Sequence, residues 1–324
     1  MRCLITGGAG FIGSVLVPSL LNEGFAVTVV DNFMYGNSLS LAACCTHSKF
    51  DVIRGDARDP RVIGPLLAKH DVIIPLAAIV GAPACDNDVC ATGTTNVVAI
   101  ENMVSKLSAD QWIIAPITNS GYGIGSQDEC TEESPLNPVS LYGKSKVEAE
   151  KAVLSHKNGI SLRLATVFGM SPRMRRDLLV NDFVWRAVTD RAVTLFEAHF
   201  RRNYVHVRDV ARAFLHVFSC FAGEENKYLA VLPPVGLPLA SGAYNIGLSD
   251  ANLSKLQLCE KIKEHVPGFV FWEAPVGEDA DKRDYVVSNK KIEATGFRCE
   301  YSLDDGIREL AKGYRMMRRE YSNV

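Results

Sequence analysis

Met1-Arg-Cys-Leu-Ile-Thr-Gly-Gly-Ala-Gly-Phe-Ile-Gly-Ser14 is a short apolar strand that runs straight into a glycine-rich turn. Gly7, Gly10 and Gly13 stand three apart, and Gly8, Gly10 and Gly13 also satisfy G-x-G-x-x-G. Such a turn needs a residue free to take positive φ, then one with no side chain where a pyrophosphate approaches the backbone. Phe11 and Ile12 open a helix over 11–22 whose N-terminal amides and dipole point at the phosphates. A second apolar strand, 26–30, ends in Asp31, where a carboxylate holds the hydroxyls of an adenosine ribose. A glycine pattern alone is weak evidence, but here a strand, a helix and an acid accompany it. Asn32 and Phe33 follow with no arginine beside them, and an acid repels a 2′-phosphate, so the pattern predicts NAD rather than NADP.

Outward from that turn, residues 1 to about 168 alternate short apolar strands with amphipathic helices, the pattern of a parallel doubly wound sheet. Strands are expected at 2–6, 26–30, 50–54, 71–75, 112–115 and 161–164, and helices at 11–22, 61–69, 95–107 and 141–155. The third strand closes in Gly55-Asp56-Ala57, where Asp56 is placed to accept from an adenine amino group. The fourth closes in Ala77-Ala78, small side chains that let a dinucleotide lie across the strand ends. Past Gly169 the pattern loosens. One helix is expected at 180–189, a strand and helix at 203–207 and 209–218, a strand at 243–246, and helices at 253–265 and 303–318. Residues 229–241 read as an apolar, proline-broken loop. The expected fold is therefore α/β, a Rossmann-type doubly wound parallel sheet with a smaller C-terminal substrate-binding lid. Residues 1–169, with about 203–219 and 242–249, form the first part; about 170–202, 220–241 and 250–324 form the second.

With 35 basic and 37 acidic residues the 324-residue chain carries a net charge of −2, which gives no bias toward nucleic acid or a membrane surface. No apolar run reaches membrane-span length, and the N-terminus is a core strand, so a soluble cytoplasmic protein is expected. The nine cysteines are scattered without metal-site spacing and read as reduced thiols; no metal site is expected.

Tyr142-Gly-Lys-Ser-Lys146 sets a tyrosine and a lysine at i and i+4 on one helix face. An adjacent ammonium favours the phenolate, so Tyr142 is expected to take the proton from a substrate hydroxyl while its carbon hydride leaves for a nicotinamide. Lys146 can also hold the nicotinamide ribose. Y-x-x-x-K by itself is more often a surface pair, and its place one strand after a dinucleotide turn reverses that reading. Thr118, at the end of the preceding strand, is placed to hydrogen-bond the reacting oxygen.

Together these features resemble the extended short-chain dehydrogenases/reductases, the NAD-dependent epimerase/dehydratase family, most of which act on nucleotide sugars. The resemblance runs over nearly the whole chain. It implies that Arg202, in His199–Asp209, and Arg283 grip the substrate diphosphate, that Asn181 bonds a phosphate or the sugar, and that Tyr244-Asn-Ile-Gly247 is a family strand. It also implies a homodimer through the helices at 95–107 and 141–155. Family 4,6-dehydratases carry Asp and Glu where this chain has Asn119 and Ser120, and 3,5-epimerases carry a cysteine in place of Ser120. Asparagine cannot donate a carboxylic proton and serine is a poor base, so dehydration is disfavoured and Asn119 and Ser120 are left as substrate contacts. Oxidation at C4 remains, stopping at the ketone or returning hydride to the opposite face as 4-epimerases do. Residues 119–125, 171–183 and 199–209 further resemble the GDP-manno-heptose C4 dehydrogenases of bacterial capsule biosynthesis. A protein of this fold that binds dinucleotide without turnover is the remaining, different class.

Overall fold

The computed structural model describes residues 1–36, 38–221, 238–277 and 283–317. Seven strands form one sheet, in spatial order Phe50–Arg54, Ala26–Asp31, Arg2–Thr6, Val72–Pro75, Trp112–Thr118, Gly159–Leu164 and Gly242–Ile246. Every neighbouring pair is parallel. Arg2–Thr6 is apolar without alternation because both its faces are covered. Cys3 and Ile5 pack under helices Gly13–Asn22 and Val207–Phe221, while Leu4 faces helices Pro60–Leu67, Ala99–Val104 and Leu141–Leu154. The sheet order reverses between Arg2–Thr6 and Val72–Pro75, and the crevice beyond that switch point is where ligands of open α/β sheets bind.

Three small sheets build the remainder. Arg201–His206 pairs with Thr166–Phe168 and Asn252–Ser254, Ala192–Leu195 with Val270–Glu273, and Ile124–Cys130 with Asp284–Val287. A separate apolar core gathers Phe168 of strand Thr166–Phe168 with Val180, Phe183, Leu258, Ile262, Ile307 and Leu310 from helices Leu179–Thr189, Lys255–His265 and Leu303–Met316.

Several boundaries moved. The first helix begins at Gly13, two residues later than expected, with Ile12 as its cap position. The helix expected over 95–107 starts earlier, at Val89, because Asp88 caps it by accepting from Ala91 N at 2.8 Å. It then widens into a π turn at Thr94–Val98 before Ala99–Val104. Most of the loop expected at 229–241 lies outside the described residues. Among the described residues no helix is long and apolar enough to cross a membrane, and all nine cysteines are free thiols.

Candidate active site

The glycine-rich turn and the fourth strand end meet at the switch point. Gly7 takes φ +71°, and a Cβ there would stand 2.6 Å from Ala77 N, so only glycine lets the two loops touch. Among the described residues no side chain caps helix Gly13–Asn22 and no acid stands in its first turn. Its leading amides at Phe11, Ile12 and Gly13 therefore remain for an anion. Asp31 organises this cradle: Oδ2 accepts from Ala9 N at 2.9 Å and Oδ1 from Phe33 N at 2.8 Å. Asn32 turns outward, and Asn32 Oδ1 accepts from Met34 N. Asp56 is held by Arg58, whose Nε lies 3.0 Å from either carboxylate oxygen, and Ala57 beside it is half-buried. Ala77 and Ala78 are half-buried at the rim.

The sequence sets no arginine beside Asp31, but the fold brings one near. Arg173, from the segment after Gly169, lies 4.4 Å over the Tyr35 ring and feels the Asp31 carboxylate.

Helix Leu141–Leu154 is started by Ser140, whose hydroxyl accepts from Gly143 N at 3.1 Å. Gly143 is forced by packing: a Cβ would lie 2.9 Å from Pro138 Cβ and 3.3 Å from Ser120 O. The helix thereby sets Tyr142 against the loop at the end of Trp112–Thr118. There Thr118 Oγ1 donates to Ser120 Oγ at 2.9 Å, and the Tyr142 phenol faces Thr118. Arg283 Nη1 donates to Ser120 Oγ as well. Thr118, Ser120, Tyr142 and Arg283 thus meet in one place. Asn119 is fully buried, and neither its amide nitrogen nor its oxygen has a partner. A buried amide with both ends open costs about 1–3 kcal/mol or more per group, which a ligand can relieve.

The charge around the phenol differs from the expected pair. Burial pushes the Tyr142 phenol up, and the cations acting against this are Arg175 first and then Arg283, with Cys85 adding to the rise. Lys146 is 3% exposed, and burial pulls its ammonium down to about 8 against the opposing charge of Glu150. Burial thus favours the protonated phenol.

Sequence reading missed the support beneath these groups. Asn96 Oδ1 accepts from Ile79 N at 2.8 Å, and its Nδ2 donates to Ile79 O and to Ser145 Oγ, tying the fourth strand's loop to the Tyr142 helix. Arg163 donates from Nε and Nη2 to Glu150, each at 2.9 Å, and from Nη1 to the Tyr122 hydroxyl at 3.0 Å. Tyr122 in turn donates to Asn245 Oδ1 at 2.8 Å, which joins the N-S-G-Y loop to the Y-N-I-G strand.

Two expected substrate contacts lie deeper than a ligand-facing role suggests. Asn181 spends its amide on the backbone, accepting from Gly169 N at 3.1 Å and donating to Arg175 O at 2.8 Å. Arg202 is 2% exposed and folds back, donating to Arg201 O and lying 5.7 Å over the Tyr285 ring. The pairing of Ile124–Cys130 with Asp284–Val287 explains how Arg283, so distant in sequence, reaches the Thr118 loop.

Residues 3–231 match the family model described as NAD dependent epimerase/dehydratase family. The chain belongs to this family. Over 95% of its length it is 29% identical to 96% of the low-salt glycan biosynthesis protein Agl12 of Haloferax volcanii. Among solved structures it superposes on UDP-glucose 4-epimerase of Thermus thermophilus with NAD, with a TM-score of 0.76 and 25% identity over 98% of this chain and 99% of that one. dTDP-glucose 4,6-dehydratase of Streptomyces venezuelae, also with NAD, gives 0.80 and 25% over 97% of each chain. Family membership makes NAD the cofactor, and the cradle fits it: an uncapped helix start, bare glycine backbone at the switch point and an acid at the second strand end. Replacing Asp31 with serine is expected to narrow the gap between NAD and NADP affinities in equilibrium binding, while weakening both because two loop amides lose their acceptor. A wild-type protein that binds NADP more tightly than NAD would refute the ribose assignment.

Proposed function

We propose that the protein oxidises the C4 hydroxyl of a nucleotide-activated sugar and does not eliminate water from it. The observation that carries this is the loop after Thr118. Asn119 is buried with its amide open at both ends, and Ser120 shares its hydroxyl with Thr118 and Arg283. Elimination needs an acid near the C6 oxygen and a base near C5, and neither residue is one. The described carboxylates nearby are engaged elsewhere: Glu129 pairs with Lys290 at the surface, and half-buried Glu132 accepts from Asn245 N at 2.7 Å. The side chain of Asp128 lies outside the described residues.

In this reading Tyr142 accepts the C4 hydroxyl proton, Thr118 aligns the reacting oxygen, and Lys146 holds the nicotinamide ribose. Bound NAD supplies the hydride acceptor and a cationic ring that adds to the charge favouring the phenolate. Arg283 moves from Ser120 to the substrate diphosphate, and Arg202 backs it from beneath Tyr285. Domain roles follow the two cores, with the cofactor on the seven-stranded sheet and the sugar nucleotide under the smaller sheets. The resemblance of residues 119–125 and 171–183 makes GDP-D-glycero-manno-heptose the first substrate to try. Half-exposed Val98 and exposed Val89, on the helices facing away from the sheet, suit a homodimer contact.

Mixing the NAD-loaded protein with GDP-, UDP- and CDP-sugars and following NADH absorbance tests the reading; no absorbance with any of them sinks it. Arg283→Ala is expected to raise KM for the responding sugar about 10- to 100-fold, the worth of a charge-assisted hydrogen bond, with NAD content unchanged. A free sugar 1-phosphate handled as well as the nucleotide sugar would contradict the diphosphate role.

A further inference from the structure

Ser171 fastens the segment after Gly169 to the glycine-rich turn. Its Oγ donates to Phe11 O at 2.8 Å and stands 2.8 Å from Ser14 Oγ, and both contacts are buried. Ser171 N donates to Met174 Sδ at 3.3 Å, closing a turn that contains Arg173. Two residues of chain span at most about 7 Å, so the Arg173 backbone stays beside the start of helix Gly13–Asn22, the anion end of the cofactor cradle. On its other side the Arg173 guanidinium lies 4.4 Å over the ring of Tyr35, on the loop that follows Asp31. Arg173 is 7% exposed while Tyr35 is 55% exposed, so the ring shields the cation from solvent. Among the described residues no carboxylate stands within ion-pair distance of this guanidinium, whose Nη1 donates to Met174 O at 3.3 Å. Arg163 is just as deeply buried, and it has Glu150 as its partner. A buried charge is costly unless an anion meets it, and a guanidinium offers five donors in a fork that matches phosphate.

We propose that Arg173 is a cofactor-binding residue: its guanidinium is the counter-charge of the NAD pyrophosphate, and the Ser171 tether to the glycine-rich turn holds it there so that the dinucleotide leaves slowly. The pyrophosphate is the anionic part of the cofactor, and the residues on either side of Arg173 fit that choice. Asp31, at the end of the second strand, suits ribose hydroxyls and repels a phosphate. The leading amides of Gly13–Asn22 offer hydrogen bonds and a partial positive charge, and Arg173 adds the full one. Burial works against the charge on Arg173 and Arg175 adds to this, while Asp177 and Asp31 oppose it from beyond ion-pair distance. Hydride transfer changes the nicotinamide and leaves the pyrophosphate as it was. A lock on the pyrophosphate therefore retains the oxidised and the reduced cofactor alike.

The test is the exchange of bound NAD for isotope-labelled NAD added in excess to the loaded protein, read by the mass of the cofactor released on denaturation. Arg173→Met is expected to speed exchange about 10- to 100-fold, the worth of a charge-assisted hydrogen bond, and Arg173→Lys, which keeps the charge and loses the fork, by less. Ser171→Ala leaves the guanidinium in place, frees its tether, and speeds exchange by a smaller factor than Arg173→Met. In competition with labelled NAD, ADP is expected to weaken in Arg173→Met while adenosine, which has no phosphate, does not. Exchange no faster than wild type in Arg173→Met overturns the proposal, and so does an equal loss of ADP and adenosine, the mark of a merely structural role. A selective loss of NADP would set the cation at the ribose, and a loss of GDP binding with NAD exchange unchanged would give it to the sugar nucleotide; either overturns the proposal too. Should Arg173→Met fail to fold, Arg173→Gln is read by the same criteria. No sugar is turned over, so failure here is distinct from failure of the C4-oxidation reading, which the NADH assay reports.

Discussion

Replacing Tyr142 with phenylalanine leaves NAD bound and lowers the rate of hydride transfer by about 10²- to 10⁴-fold, the range of a lost general base. The variant keeps the ring that packs at the start of Leu141–Leu154 and removes only the hydroxyl facing Thr118. Cofactor affinity resides elsewhere, in the glycine-rich turn, the uncapped helix start and Asp31, so binding survives. Two measurements separate the effects: NAD released on denaturation reports binding, and single-turnover NADH absorbance reports chemistry. A fall of less than about tenfold removes Tyr142 from the proton-transfer role.

Breaking the Glu150–Arg163 pair is expected to cost about 3–5 kcal/mol, the range for leaving a buried charge without its partner. The two side chains are 4% and 7% exposed, and Glu150 Oε1 accepts from Ser161 Oγ as well as from Arg163. Arg163→Met strands the Glu150 carboxylate in the core and frees the Tyr122 hydroxyl from its donor. The double variant Glu150→Gln with Arg163→Met is expected to recover most of the loss, since no charge is then buried alone. Urea unfolding midpoints at constant m-value measure both. A loss below about 1 kcal/mol in Arg163→Met would show that the pair is replaceable by water or by rearrangement. Glu150 also lies one turn beyond Lys146 and holds its ammonium up, so Glu150→Gln drives Lys146 below its present value near 8.

The first half of the chain was legible because its central strands are buried on both faces and its strand-end loops carry residues with one reason to be present. Arg2–Thr6 and Phe50–Arg54 fall where the apolar runs place them, and Leu141–Leu154 ends one residue short of expectation. Gly7, Asp31, Thr118 and Tyr142 follow from chemistry that permits few substitutes. The smaller sheets were not legible: Ala192–Leu195 and Val270–Glu273 are four-residue strands paired across a long separation, too short for an alternation to register. Long-range pairing also hid where Arg283 goes. The contacts of Ser171 with Phe11 and Ser14 likewise exist only in the folded chain. The structural job of Asn181 was hidden for a related reason. A buried asparagine on a helix start can face a ligand or a backbone, and only the fold shows both ends of its amide bonded to residues 169 and 175.

The mass of the product formed from GDP-D-glycero-manno-heptose by the NAD-loaded protein, read together with the redox state of its cofactor, tests the central claim most directly. Oxidation at C4 without elimination predicts a product lighter by two hydrogen atoms and cofactor present as NADH. A product lighter by one water, with the cofactor returned to NAD, would contradict it and require an acid other than Asn119 at the C6 oxygen.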